Sequence, residues 1–583
     1  MKQYISELLR QALTELSPEE APAVIGESNF ETSRPARPEF GDYSSNAAMA
    51  LFKQFNQPPA ANPPALAKQL AELAKKYDHK DTFAKVEAVG GFINFHLNKS
   101  YFAQYALDTI KAVTIENIGD GSKVVFEYSS PNTNKPLHIG HTRNDLYGAA
   151  CIRLLKAVGY NVVSCAISQD RGIHIMKSVL MYMKHGAGAA PASEQLKPDH
   201  FVGKFYQMFA AEAAKSKEAE DALMEEAQDL LRRWERGDKE VRKVWAKMNA
   251  WFFEGVKQTY AAEGSTFDEV DYESEIYDKG RDLVLAGVDK GVFQREADGS
   301  VSVDLGDEHL GKKYLLRKDG TTLYITQDMY LWDMRNKRHQ PDLAIVTTSA
   351  EQAYHFEVLA RLFQLIGYPW AVNFKHLPYE HVYLGDSKMS SREGNTITAD
   401  DLLTTVKDRV RKTMADLEKL KGSVEDEALV TAIAFGAIKY GYLKYEPNTR
   451  IYFDPETTIA LQGNTGPYLQ YAHARIKSIL KKADQFTLTA PIALEGEAEM
   501  AVLRALERYS DSVVAAAQEY KPNLLCNYLF DLVAAFSNLY GTVPILQGGD
   551  EEIKRQRLTL LSATAAVLRH GLGLLGIEAP EEM

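Results

Sequence analysis

Three cysteines in 583 residues, Cys151, Cys165 and Cys526, are too few for a disulfide framework. No Cys-x-x-Cys pair or Cys/His cluster offers a structural zinc site. The thiols therefore read as small buried apolar groups, and a reducing cytoplasm is the expected compartment. No apolar run reaches the length of a membrane span. A signal peptide is not expected either, because Met1 to Arg10 already reads as an amphipathic helix. No internal repeat or long low-complexity tract is visible. A basic excess is missing too: the net charge is −12. That argues against a chain basic overall, not against a local basic face, which is all that phosphate contacts need. Gln470 to Ala483, with Arg475, Lys477, Lys481 and Lys482, is one candidate, and Lys407 to Lys421 is another. Taken alone, such stretches are usually solvated helix faces.

The composition is that of an ordinary globular protein, with 45% apolar and 25% charged residues. The length implies two to four domains. Residues 1–115 read as a small α/β domain, with a helical start, Pro-rich breaks at Pro58-Pro59 and Pro63-Pro64, and strand character from Phe83 to Leu97. Residues 116–400 begin differently. Val124 to Tyr128 is a short apolar run suited to a buried parallel strand. A loop rich in Pro and Asn follows, then a helix from about His141 to Val158 stopped by Gly159, then a second buried strand from Asn161 to Ile167. Strand, loop, helix and strand make a βαβ unit, the start of a doubly wound parallel sheet. A charged helical insertion is expected at about 177–264, with Trp234, Trp245 and Trp251 as core. Further strands are expected at Ser300–Leu305, Thr321–Ile325 and Leu343–Thr347, and a helix at Gln352–Ile366. Residues 401–583 have helical period nearly throughout. The fold class is multidomain α/β, with an all-helical C-terminal part whose core spans about 451–583.

The chemistry sits in two segments. Pro131-Asn132-Thr133-Asn134-Lys135-Pro136-Leu137-His138-Ile139-Gly140-His141 follows the first strand and opens the first helix. The N–H groups and dipole of such a helix favour a phosphate. His138 and His141, three apart, share a face and can each donate to a triphosphate. Gly140 clears space for close approach. A lone His-x-Gly-His is weak evidence; its place after a buried strand makes it specific. Lys388-Met389-Ser390-Ser391-Arg392-Glu393-Gly394-Asn395 follows the strand-like Val382 to Leu384. By itself it is only an exposed charged loop. Lys388 and Arg392 can place cations over β- and γ-phosphates, with Mg2+ as a partner.

In this order on one chain, the two segments resemble the ATP-handling signatures of class I aminoacyl-tRNA synthetases. From end to end the chain resembles the arginyl-tRNA synthetase family. Gly41-Asp42-Tyr43 and Gly91-Phe92-Ile93-Asn94 match its N-terminal domain, Gly463 to Tyr471 the entrance to its helical domain, and Leu568 to Met583 its C-terminus. The resemblance implies a Rossmann-like catalytic domain, an N-terminal domain on the tRNA elbow and a helical anticodon-binding domain. It implies an arginine–tRNA ligase that uses ATP, L-arginine and tRNA(Arg) as a cytoplasmic monomer. His138, His141, Lys135, Lys388 and Arg392 are the implied catalytic residues, and Pro131, Gly140, Met389, Ser390 and Ser391 the implied ATP contacts. Glu127 and Asp328, with Tyr324 beside Asp328, are implied near the guanidinium of arginine, and Asn132 and Gln352 near its amino-acid end. A guanidinium is well held by carboxylates and aromatic planes, although Asp328 and Glu127 alone would read as a helix-start and a strand-end residue.

Two departures stand out. Ser391 replaces a lysine common in the second motif, and Lys135 stands where family members with that change carry a compensating one. Arg171 and His174 differ from the usual aromatic residue and glutamine, and neither is given a role. A small-molecule adenylyltransferase has no use for the terminal domains. A binding-only paralogue has no need of His138, His141 and Lys388. A cysteine enzyme would be expected to carry zinc ligands.

Overall fold

Val124, Val125 and Phe126 are buried, and a strand apolar on both faces belongs inside a helix-covered parallel sheet. The computed structural model describes all residues except 28–29, 36, 187, 307, 385–386, 389–396, 417–424, 484–485 and 548–549, and only the backbone of 27, 38, 384, 387 and 388. In it these residues form β1 (Lys123–Glu127). The chain continues through α1 (Ile139–Ala157), β2 (Asn161–Ser168) and α2 (Ile173–His185). The insertion follows as α3 (Pro198–Ala213), α4 (Lys217–Glu235) and α5 (Lys239–Glu263). Then come β3 (Glu269–Tyr272), the short α6 (Glu273–Ile276), α7 (Tyr324–His339), β4 (Leu343–Ser349), α8 (Ala353–Ile366) and β5 (Phe374–Tyr379).

The five strands lie in the order β5-β4-β1-β2-β3, and all pair in parallel. The winding direction reverses between β1 and β4, and ligands of open α/β sheets bind beyond the carboxyl ends of strands at such a point. The insertion has its own core of Phe201, Phe205, Trp234, Val241 and Phe252, with Trp245 and Trp251 packed against it. Trp234 is a core residue, as expected, while Trp245 and Trp251 are half-buried at the edge of that core.

Thr321 to Ile325 is not a strand. Thr322 makes an isolated bridge to Leu316, and Tyr324 already opens α7. Ile325, Met329 and Trp332 follow at helical spacing and pack into one apolar cluster. The strands Gln294–Arg295, Val301–Asp304 and Lys312–Leu316 form a separate antiparallel sheet. β5, unforeseen, is an edge strand with Pro378, where proline is tolerated.

The chain divides into two compact units. One comprises Thr114–Ile479, Tyr509–Ala534 and Val567–Met583, and holds everything just described. The other comprises Met1–Val113, Leu480–Arg508 and Ala535–Ala566. Its antiparallel sheet runs Thr32–Ser33, Tyr43–Ser45, Phe92–Leu97, Phe83–Val89, with helices Lys2–Leu16 and Pro63–Tyr77 packed nearby. Within this unit the buried Glu507 pairs with Arg34 at 2.7 Å and accepts from Tyr43 Oη at 2.7 Å. The helix Glu497–Glu507 is thereby tied to the N-terminal sheet. Cys151, Cys165 and Cys526 are free and buried. Among the described residues no helix is long and apolar enough to cross a membrane.

Candidate active site

The loop leaving β1 is stitched to the end of β2. Gln169 N donates to Pro131 O at 3.0 Å, and Thr133 N donates to Gln169 O at 3.3 Å. This extends the sheet by one bridge, Asn132 beside Gln169, and holds the half-buried Asn132 at the switch point. The chain then turns into α1, whose N-cap is His138. Its Nδ1 accepts from Gly140 N at 3.1 Å, and His141 Nδ1 accepts from His138 N at 3.1 Å. The imidazoles thus satisfy helix-start amides that nothing inside the helix can reach. Their ring centroids are 3.8 Å apart.

Burial, then the charge of Lys135, lowers the His138 pKa to about 4. Burial, His138 and Lys135 push His141 well below its ordinary value. Both rings are therefore neutral at physiological pH. With each Nδ1 accepting, the proton sits on each Nε2. The pair is two neutral N–H donors at a helix N-terminus, a setting for phosphate oxygens. A Cβ on Gly140 would lie 3.1 Å from His138 Cε1, so the glycine also makes room for the ring. Burial lowers the pKa of Lys135, which stands half-exposed before the helix.

The exit from the second motif docks on this corner. Ala399 N donates to Leu137 O at 2.9 Å, Ile139 N donates to Ile397 O at 3.3 Å, and His138 bridges Thr398. Residues on either side of His138 are thus bound to 397–399. The backbone of Ser387–Lys388 pairs with Val382–Leu384. The Lys388 side chain and Met389, Ser390, Ser391 and Arg392 lie outside the described residues.

A second cluster gathers around α7. Asp328 and Tyr324, four apart, share a face of its first turns. Tyr324 is 81% exposed. Asp328 Oδ2 contacts His355 Nε2 at 2.5 Å. Half-buried Glu273, first residue of α6, has its pKa raised to about 7 by burial, opposed by Arg171 and reinforced by Asp170 and Asp328. Asp328 thus acts on Glu273 from a different element, and two carboxylates so placed can receive a cation. Gln352 is exposed where α8 begins.

Glu127 ends β1, where burial raises its pKa, Arg335 opposes the rise and Asp328 adds to it. It is buried and receives a hydrogen bond from Arg335 Nη1, while Arg335 Nε donates to Asp271 Oδ2 at 2.9 Å. Glu127 and Asp271 together hold the fully buried Arg335 firmly protonated. Arg335 thereby ties α7 to β1 and β3. Glu273 and His355 were not singled out in the sequence. Glu273 lies in an acidic run without a motif, and its electrostatic partners are far along the chain.

Comparison with known proteins is consistent over the whole length. Residues 107–454 match the family model described as tRNA synthetases class I (R), catalytic domain. Residues 469–583 match the DALR anticodon binding domain, and residues 3–97 the arginyl tRNA synthetase N terminal domain. An arginine–tRNA ligase of Treponema denticola is 38% identical over 99% of this chain and 98% of its own length. One from Bacteroides thetaiotaomicron is 40% identical over 79% of this chain and 80% of its own. Among solved structures, the arginyl-tRNA synthetase of Thermus thermophilus superposes with a TM-score of 0.85 at 25% identity, covering 100% of both chains.

Proposed function

From the premise that this chain belongs to the arginyl-tRNA synthetase family, we infer the roles of its site residues in the reaction of an arginine–tRNA ligase. The chain joins arginine to tRNA at the expense of ATP. The arginine carboxylate attacks the α-phosphorus of ATP, the bond to the β-phosphate oxygen breaks, and pyrophosphate leaves. A ribose hydroxyl at the 3′ end of tRNA(Arg) then attacks the acyl carbon, releasing AMP.

His138 and His141 donate from Nε2 to the triphosphate as charge builds on it. Their neutral state supports this, because neutral donors need no proton exchange during the step. Lys135, Lys388 and Arg392 supply cations to the departing pyrophosphate. Pro131, Gly140, Met389, Ser390 and Ser391 complete the ATP contacts. Asn132 and Gln352 orient the amino-acid end. Asp328 and Glu127, joined by Glu273, surround the guanidinium, with Tyr324 beside Asp328, and Glu127 also fixes Arg335.

Mg2+ is taken to arrive on the phosphates as part of the substrate, as it commonly does. Among the described residues one cluster has metal-ligand spacing, Asp199, His200 and Asp400. It does not fit the ion, because Lys197 Nζ already bridges it, 2.7 Å from Asp400 Oδ2. Residues 1–115 are assigned to the tRNA elbow, 116–400 to catalysis and 401–583 to the stem and anticodon. The chain is taken to act as a monomer in a reducing cytoplasm, a compartment compatible with three buried free thiols.

The pairing of Asp328 and Glu273 carries the assignment of the guanidinium pocket. Asp328→Ala leaves the substrate's charge short of a partner, at a cost of roughly 3 kcal/mol or about 150-fold in arginine KM. The ATP KM should stay within twofold. An arginine KM within twofold of the parent overturns the pocket.

A further inference from the structure

Arg171 interrupts a position where an aromatic residue is usual, and its surroundings give the reason. Its side chain is 9% exposed, stacked 4.0 Å from the Tyr277 ring centroid and 5.6 Å from that of Trp234. Nη2 donates to Glu235 Oε1 at 2.6 Å. Planar stacking plus a carboxylate is the arrangement that suits a guanidinium and no other cation as well.

The neighbouring Asp170 grips α6 at its other end. Ser274 N donates to Asp170 Oδ1 at 2.8 Å, and Ser274 Oγ donates to Asp170 Oδ2 at 2.7 Å. Asp170 is itself fixed by α5, since Trp245 Nε1 and Asn249 Nδ2 donate to its carbonyl at 2.6 and 3.2 Å. The short α6 is therefore clamped twice, at Ser274 by Asp170 and at Tyr277, its C-cap, by Arg171. Tyr277 O in turn accepts from Thr322 Oγ1 at 2.9 Å and from Gln327 Nε2 at 3.5 Å. Gln327 directly precedes Asp328. A Cβ at Gly280 would meet Thr326 O at 2.4 Å, so the chain after Tyr277 lies tight on α7. One stacked arginine thus sits where the elements bearing Glu273 and Asp328 meet.

We propose that Arg171 is a positioning residue for arginine recognition, locking the turn that carries Glu273 against the helix that carries Asp328. This rests on the assignment of those two carboxylates to the substrate guanidinium. It also gives the helical insertion a part in substrate selection, because Glu235 and Trp234 on α4 hold Arg171 in place. A guanidinium of the chain, kept in its own aromatic box, sets the geometry in which the substrate's guanidinium is received.

The electrostatics give a readout that packing alone would not. Glu273 faces Arg171 and Asp170 from the β2 end and Asp328, with its partner His355, from the α7 side. Glu275 on α6 acts on Asp170, and Glu235 and Arg242 flank the aromatic box. The substrate guanidinium needs Glu273 as carboxylate. Arginine binding should therefore strengthen as pH rises through about 7, the value to which burial pushes this group. Loss of the Arg171 charge moves that limb to higher pH.

The test is aminoacylation of tRNA by the full chain, with kcat and KM for arginine and ATP measured from pH 6 to 9. Arg171→Met should raise the arginine KM at least tenfold, leave the ATP KM within twofold and shift the acid limb upward. Arg171→Lys should restore the limb but not the KM, since lysine carries the charge without the planar stack. Glu235→Gln, a milder change at an exposed partner, should raise the arginine KM in the same direction and carries the test if Arg171→Met does not fold. Arginine KM and acid limb both at parental values in the folded variants overturn the proposal. If Asp328→Ala leaves the parental arginine KM, it is the pocket assignment that fails instead.

Discussion

His138 and His141 do two things with one ring each. Nδ1 closes the start of α1, and Nε2 is left as a donor. Because burial and Lys135 keep the rings neutral, acidification toward pH 4 should charge His138 first and loosen the corner at Thr398. Lys135→Ala should slow adenylation by on the order of 10², with little effect on arginine KM, if its ammonium serves the pyrophosphate. The same change should raise the His138 pKa, since it removes a nearby positive charge, and NMR titration of the ring would detect that. Parental adenylation together with an unmoved titration would make Lys135 a plain loop residue. The two histidines were legible in the sequence because strand, loop and helix follow each other directly. Glu273 was not: Asp170 and Asp328, which give it meaning, are about 100 and 55 residues away.

At the scale of elements, the βαβ start was legible because β1 is apolar on both faces and Gly159 ends the helix. Thr321–Ile325 misled because five residues with mixed polarity fit a strand or the first turn of a helix, and the packing of Met329 and Trp332 decides between them. The structural part of Glu127 was hidden for another reason. A strand-end carboxylate at the switch point looks like a ligand, and the arginine that neutralises it, Arg335, lies on a helix 208 residues further on. Arg335 binds α7 to β1 and β3 at once. Arg335→Ala leaves Glu127 buried without its counter-charge and Asp271 with Arg338 alone, 3.6 Å away, and should cost about 3–5 kcal/mol, read by denaturant unfolding. Adding Glu127→Gln and Asp271→Asn should recover part of that loss. A single variant as stable as the parent would remove Arg335 from the framework of the site.

For the whole molecule, three regions that match separate family models serve one reaction, and the compact units do not simply follow chain order. The helix Glu497–Glu507 packs with the N-terminal sheet through Arg34 and Tyr43. That long-range closure was not legible, because Glu507 reads in sequence as one more charged helix residue. The net charge of −12 likewise said nothing against RNA, since phosphates are met locally. The most direct measurement is charging of total tRNA by the intact chain with each amino acid in turn, in the presence of ATP and Mg2+. Arginine alone should be esterified to tRNA, with AMP and pyrophosphate released in equal amounts. Charging of any other amino acid at a comparable rate, or no charging of arginine by a folded chain, would contradict an arginine–tRNA ligase.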